Sequence, residues 1–78
     1  MYIEIVSPEK KLYSGDVDYV QLPGTKGRFA ILKNHAPLIS TLTKGTVLVR
    51  DKSEQEKNID ISGGVVEVMK NNIIVLAK

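Results

Sequence analysis

With 78 residues the chain forms one domain, residues 1–78, and a domain this small buries only about 60% of the surface its unfolded chain exposes, so its core is thin. The absence of cysteine excludes a disulfide framework, thiolate metal sites and cysteine nucleophiles. Eleven Lys+Arg against nine Asp+Glu leave a charge of +2, too small an excess for the electrostatic footprint of a nucleic-acid binder. No apolar stretch approaches the ~20 residues of a spanning helix, and Met1-Tyr2-Ile3-Glu4 leads into alternation instead of a signal sequence, so the chain reads as soluble and intracellular.

Period-two alternation recurs along the chain and no window carries a helical apolar stripe, which predicts an all-β fold. The first strand is Tyr2–Val6, with Ile3 and Ile5 on one face, ended by Ser7-Pro8 because proline cannot donate to a ladder. Lys10 to Tyr13 leads to a turn signal at Ser14-Gly15. Residues 16–22 alternate with either Val17 and Tyr19 or Val20 and Leu22 inward, until Pro23-Gly24-Thr25-Lys26-Gly27 breaks the run as a hairpin loop. Residues 28–32 supply a third strand, and Asn34-His35-Ala36-Pro37 is a polar bend that crosses between sheets. Leu38, Ile39 and Leu42 anchor the next segment.

Residues 46–50, with Val47 and Val49 on one face, and 58–62, with Ile59 and Ile61, pair as a hairpin around the solvated run from Asp51 to Lys57. Gly63-Gly64 precedes two β-branched runs, 65–69 and 73–77, and glycine there signals a bulge or the close approach of another backbone. Asn71-Asn72 suits the positive φ of a two-residue hairpin turn. Short strands with turns every eight to twelve residues or so give a flattened antiparallel β-sandwich with essentially no helix.

Few constellations carry chemistry. His35 with Ser14 or Ser40 and an aspartate makes a nominal triad, but the nucleophile-elbow pattern is missing, so no catalytic residues are assigned. One histidine among scattered carboxylates does not reach the ligand count of a metal site. Gly24-Thr25-Lys26-Gly27 has the glycine spacing of a KH-domain clamp, yet strands flank it where that loop needs helices, and no P-loop pattern is present. Tyr2, Tyr13, Tyr19 and Phe29 are better used in core packing than as a base-stacking platform. Neither a cofactor nor a nucleic-acid partner is therefore expected. Lys70, beside Asn71-Asn72 on a hairpin, resembles the modified lysine of a biotin carrier domain. Val68 and Asn71 depart from that motif, and a solvated hairpin lysine is the better account.

Four blocks, read in order, resemble the N-terminal domain of the epsilon subunits of F-type ATP synthases. They are Glu4-Ile5-Val6-Ser7-Pro8-Glu9-Lys10-Lys11 with Tyr13-Ser14-Gly15; Leu22-Pro23-Gly24-Thr25-Lys26-Gly27 leading into Phe29-Ala30-Ile31-Leu32; Asn34-His35-Ala36-Pro37-Leu38-Ile39; and Ile61-Ser62-Gly63-Gly64-Val65-Val66-Glu67-Val68 running to Ile74-Val75-Leu76-Ala77. The resemblance implies a non-catalytic rotor-stalk sandwich, seated beside the gamma shaft and on the polar loops of the membrane c-ring, that couples ion translocation to ATP synthesis. It implies partners in gamma and the c-ring, with the catalytic head reached indirectly. It also implies a peripheral location on the cytoplasmic face of the inner membrane, held there only through the complex. Carried over by motif, the gamma-facing residues are Ser7, His35 and Ser40, and the ring-facing residue is Arg28. Arg28 stands where the family pattern has an acidic residue, so either the partner on the ring is acidic or carbonyl-rich or the contact has shifted to other residues. The family commonly continues into a helical hairpin that can inhibit ATP hydrolysis. This chain stops at Lys78, so inhibition by that route is not expected of it. The alternative function is the carrier domain with Lys70 modified.

Overall fold

Alternation of isoleucine with polar neighbours produces β1 (Tyr2–Val6), in which Ile3 and Ile5 are fully buried. The computed structural model describes residues 1–78 and continues with eight more strands: β2 (Lys11–Asp16), β3 (Tyr19–Gly24), β4 (Gly27–Leu32), β5 (Leu38–Leu42), β6 (Gly45–Arg50), β7 (Glu56–Ile61), β8 (Gly64–Met69) and β9 (Asn72–Ala77). There is no helix, as the alternation predicts. Hydrogen bonding runs in the order β2-β1-β9-β8-β5-β3-β6-β7, with β4 on the free side of β3. One layer is β2-β1-β9-β8-β5 and the other is β4-β3-β6-β7. They join at one corner, where β5 meets β3 through the single pair Gly24 and Leu42. The result is a nearly closed sandwich.

Fifteen buried apolar residues fill the space between the layers, and all but Leu22, Leu42 and Ala77 are Val or Ile. Such β-branched side chains fit a pleated, half-buried surface. The core contains no buried polar or charged side chain. Strands β8 and β9 show the period cleanly, with Val66, Val68, Ile73 and Val75 inward. In β3 the inward pair is Val20 and Leu22, which resolves the ambiguity left by alternation alone.

The structure corrects several local expectations. Ser14-Gly15 is not a turn: both lie inside β2, paired with Glu4 and Ile3, and the Tyr13 side chain lies over Gly15. Ladder bonds to β1 outweigh the turn propensity of the dipeptide, and the reversal comes at Val17-Asp18. Pro23-Gly24 likewise ends β3 instead of breaking it. The hairpin closes on Thr25-Lys26 between the paired Gly24 and Gly27. A Cβ on Gly24 would strike the Phe29 ring and the Gly27 carbonyl.

The β8–β9 turn is Lys70-Asn71, one residue earlier than expected, because the inward valines fix the register and make Met69 and Asn72 the last pair. Both turn residues have positive φ, 50° and 62°. Gly64 sits at φ 151°, where a Cβ would overlap the Leu76 carbonyl, so the predicted close backbone approach is real. Ile39 is 72% exposed and anchors nothing in the core. Tyr2 and Tyr19 also lie off the core, whereas Tyr13 and Phe29 pack against it. Finally, β1 and β9 pair in parallel, the one departure from an antiparallel sandwich.

Candidate interaction surface

The outer face of the five-stranded layer is built by the residues that alternate away from the core. One row across it runs Ile39, Glu67, Ile74 and Glu4, and the next runs Thr41, Val65, Leu76 and Val6. Sequences that alternate strictly would place polar residues here. Instead Ile39, Val65, Ile74 and Leu76 are exposed and surround an open groove of about 200 Å³, with Glu67 as the single charge in its wall. A second groove of about 310 Å³ shares Ile39 and Glu67 and extends past Pro37 and Met69 toward the loop that carries His35. The apolar strip is therefore continuous from the His35 loop to Leu76.

A contiguous apolar patch with polar margins is the mark of an interaction site. Glu67 enters neither of the chain's two salt bridges, so its carboxylate is free for a cation on a partner. On the far margin Glu4 is already engaged by Lys11 at 3.0 Å, and the hydrogen bond to Glu4 holds the Lys11 ammonium above its ordinary value. That pair closes the strip with a neutralised edge.

His35 occupies the exposed loop between β4 and β5. Its Nδ1 lies 2.7 Å from the Ala36 carbonyl, which can only accept, so Nδ1 carries the hydrogen. In the neutral ring Nε2 is then left as an acceptor. The loop itself is held by Asn34, whose N–H donates to Asn71 Oδ1 at 2.7 Å. Ser7 follows β1 at the opposite end of the same layer, where its hydroxyl donates to the Lys10 carbonyl at 3.1 Å and accepts from the Lys10 N–H at 3.3 Å. Ser40 lies on β5 opposite the buried Val66, half-buried on the inward side. It opens on a groove of about 370 Å³ between β5 and the β3–β4 hairpin, lined also by Lys26, Phe29 and Thr41. Ser7, His35 and Ser40 thus belong to one layer without bonding to one another.

Arg28 belongs to the other layer, paired with Pro23 beside the β3–β4 turn. Its Nε donates to Gln21 Oε1 at 3.0 Å, leaving both terminal nitrogens for a partner. Gln21 in turn donates to the Tyr19 hydroxyl at 3.4 Å, and Arg50 lies over the Tyr19 ring at 4.7 Å while bonding Glu56 at 2.7 Å. This outer face is mainly polar, with Leu32 exposed opposite Tyr19, in contrast to the apolar strip. Lys70 stands at the tip of the β8–β9 hairpin, as the carrier alternative requires.

Sequence reading named Ser7, His35, Ser40 and Arg28 and missed the strip. The signal was present. Ile73 to Ala77 is apolar at every position, and Val65-Val66 breaks alternation in the same way, the pattern of a strand covered on both faces.

Comparison with known proteins supplies the rest. The family described as the beta-sandwich domain of the ATP synthase delta/epsilon chain matches residues 1–78. An ATP synthase epsilon chain of Leptospira borgpetersenii is 47% identical over 74 residues, covering 95% of this chain and 58% of its own length. The ATP synthase epsilon chain of Caulobacter vibrioides is 42% identical over 78 residues, covering all of this chain and 90% of its own. This chain therefore spans little more than half of the Leptospira relative. Among solved structures, a chain of the Euglena gracilis mitochondrial ATP synthase superposes with a TM-score of 0.90 at 16% identity, over 96% of this chain and 48% of that one. A chain from the central stalk and c-ring of the Tetrahymena thermophila enzyme gives 0.82 at 18%, over 99% and 62%.

Proposed function

Because the chain belongs to the family of ATP synthase delta/epsilon beta-sandwich domains, we propose that it is a non-catalytic rotor subunit bridging the gamma shaft and the membrane c-ring. The observation that carries this reading is the two-faced apolar character of β8 and β9. One side fills the core, and the other offers Val65, Ile74 and Leu76, with Ile39 of β5, to a partner. Torque from ion flow reaches the shaft only if the connecting part does not slip. A cross-braced double layer resists shear, and an apolar strip with one free carboxylate gives a grip that is both tight and directional.

In this arrangement the strip and the adjoining His35 loop meet gamma, with Ser7 and Ser40 at its margins. A donor on gamma meets His35 Nε2 and a cation meets Glu67. Arg28, on the other layer, meets an acidic or carbonyl-rich loop of the ring, so the two partners are engaged by different faces. The catalytic head is reached through gamma. The subunit then lies peripherally at the cytoplasmic face of the inner membrane, bound only through the complex.

No observation favours the carrier reading beyond the exposure of Lys70, and the family match spans that residue too. The test is purification of the tagged chain from gently solubilised native membranes, with mass spectrometry of what accompanies it. Recovery of gamma and ring subunits is the expected result. A biotin carboxylase together with a mass addition on Lys70 overturns it.

A further inference from the structure

Asn34 and Asn71 are 37 residues apart and bonded in both directions: the Asn34 N–H donates to Asn71 Oδ1 at 2.7 Å, and Asn71 Nδ2 donates back to Asn34 Oδ1 at 3.0 Å. Both residues hold left-handed backbones, φ 65° and 62°. Glycine satisfies such a backbone at less cost than any other residue. Asparagine tolerates such a backbone better than most residues, so turn chemistry accounts for either position alone; the pair adds a role for both side chains, since the Asn71 amide accepts through Oδ1 and donates through Nδ2 while Asn34 Oδ1 accepts.

The pair is also the loop's single hydrogen-bonded tie to residues distant in sequence. The other bonds of residues 33–37 are local, from the His35 N–H back to the Leu32 carbonyl at the end of β4 and from the His35 ring to the Ala36 carbonyl. Asn71 is anchored in turn by the rigid register of β8 and β9.

Resting on the shaft-binding reading above, we infer that Asn34 and Asn71 form a clasp that fixes the His35 loop in its docking position. Asn71 is a positioning residue that acts through the loop without touching the partner. A loop ordered before binding does not lose that freedom on binding, so the clasp raises affinity without adding a contact.

The test uses the 78-residue chain with Asn71→Gly, which keeps the left-handed turn and removes the clasp, and Asn71→Asp, which keeps the acceptor for the Asn34 N–H and removes the donor. Amide exchange by NMR reads the clasp directly. Asn71→Gly should speed exchange of the Asn34 amide by about tenfold with the unfolding midpoint preserved, and Asn71→Asp should fall between. Affinity for the purified gamma subunit reads the purpose. His35→Ala should weaken binding, Asn71→Gly should weaken it too, and the double variant should lose less than the sum of the two. Unchanged Asn34 exchange in Asn71→Gly overturns the clasp, and strictly additive losses overturn its positioning role. If neither His35→Ala nor Ile39→Asp alters gamma affinity, the shaft reading fails and the docking role of the clasp fails with it. The exchange data would still decide separately whether the clasp exists.

Discussion

Lys70, like Glu54, holds a left-handed backbone that its side-chain type does not favour. A type I′ hairpin turn asks for φ > 0 at both central positions, which asparagine and glycine accept more readily than lysine. Lys70→Asn should therefore raise stability by about 0.5–1 kcal/mol in denaturant unfolding, with gamma binding unaffected. Gly64 is the opposite case: its φ is unsuited to L side chains and the Leu76 carbonyl occupies the place of a Cβ. Gly64→Ala should cost about 2–4 kcal/mol by the same measurement, since overpacking and backbone strain act together. The glycine pair was legible in the sequence as a close approach, and the Asn71 turn was legible to within one residue. The error at that turn arose because asparagine suits either register, and only the inward valines choose between them.

Two isoleucines, Ile5 in β1 and Ile39 in β5, look equivalent in composition and differ entirely in place. Ile5 is fully buried and Ile39 lies on the outer strip. Ile5→Ala should cost about 2–5 kcal/mol in stability, and Ile39→Ala should stay within about 0.5 kcal/mol while weakening gamma binding. Unfolding curves alongside titration calorimetry separate the two effects. Strand positions and hairpins were legible because alternation and turn residues are local signals. The parallel pairing of β1 with β9 was not, because its partners lie some seventy residues apart and no local signal encodes the contact. The same holds for the Gly24 and Leu42 corner, which decides which strands share a layer. Without the layer assignment, Ile39, Val65, Ile74 and Leu76 cannot be seen as one surface. The continuous apolar run of β9 could still have warned that both of its faces are apolar.

Across the whole molecule, the two layers present different chemistry outward: an apolar strip with one free carboxylate on one side, and on the other a polar face ordered by Gln21, Tyr19, Arg50 and Glu56. That division suits a part wedged between two unlike partners. Arg28→Glu should weaken association with isolated c-rings, read by co-sedimentation, and leave gamma affinity unchanged, because the guanidinium lies on the polar layer away from the strip. The family was legible from the order and spacing of its motifs. The apolar face proposed to grip was not, since motif residues such as Ser7 and His35 mark the ends of the layer and not its apolar centre. The most direct measurement is therefore calorimetric titration of the 78-residue chain and two variants against purified gamma. Ile39→Asp places a charge in the strip, and Leu32→Asp places the same charge on an equally apolar, exposed position of the other layer. A loss of at least about tenfold for Ile39→Asp with Leu32→Asp unchanged is the predicted result; equal losses, or a loss only for Leu32→Asp, would contradict the account.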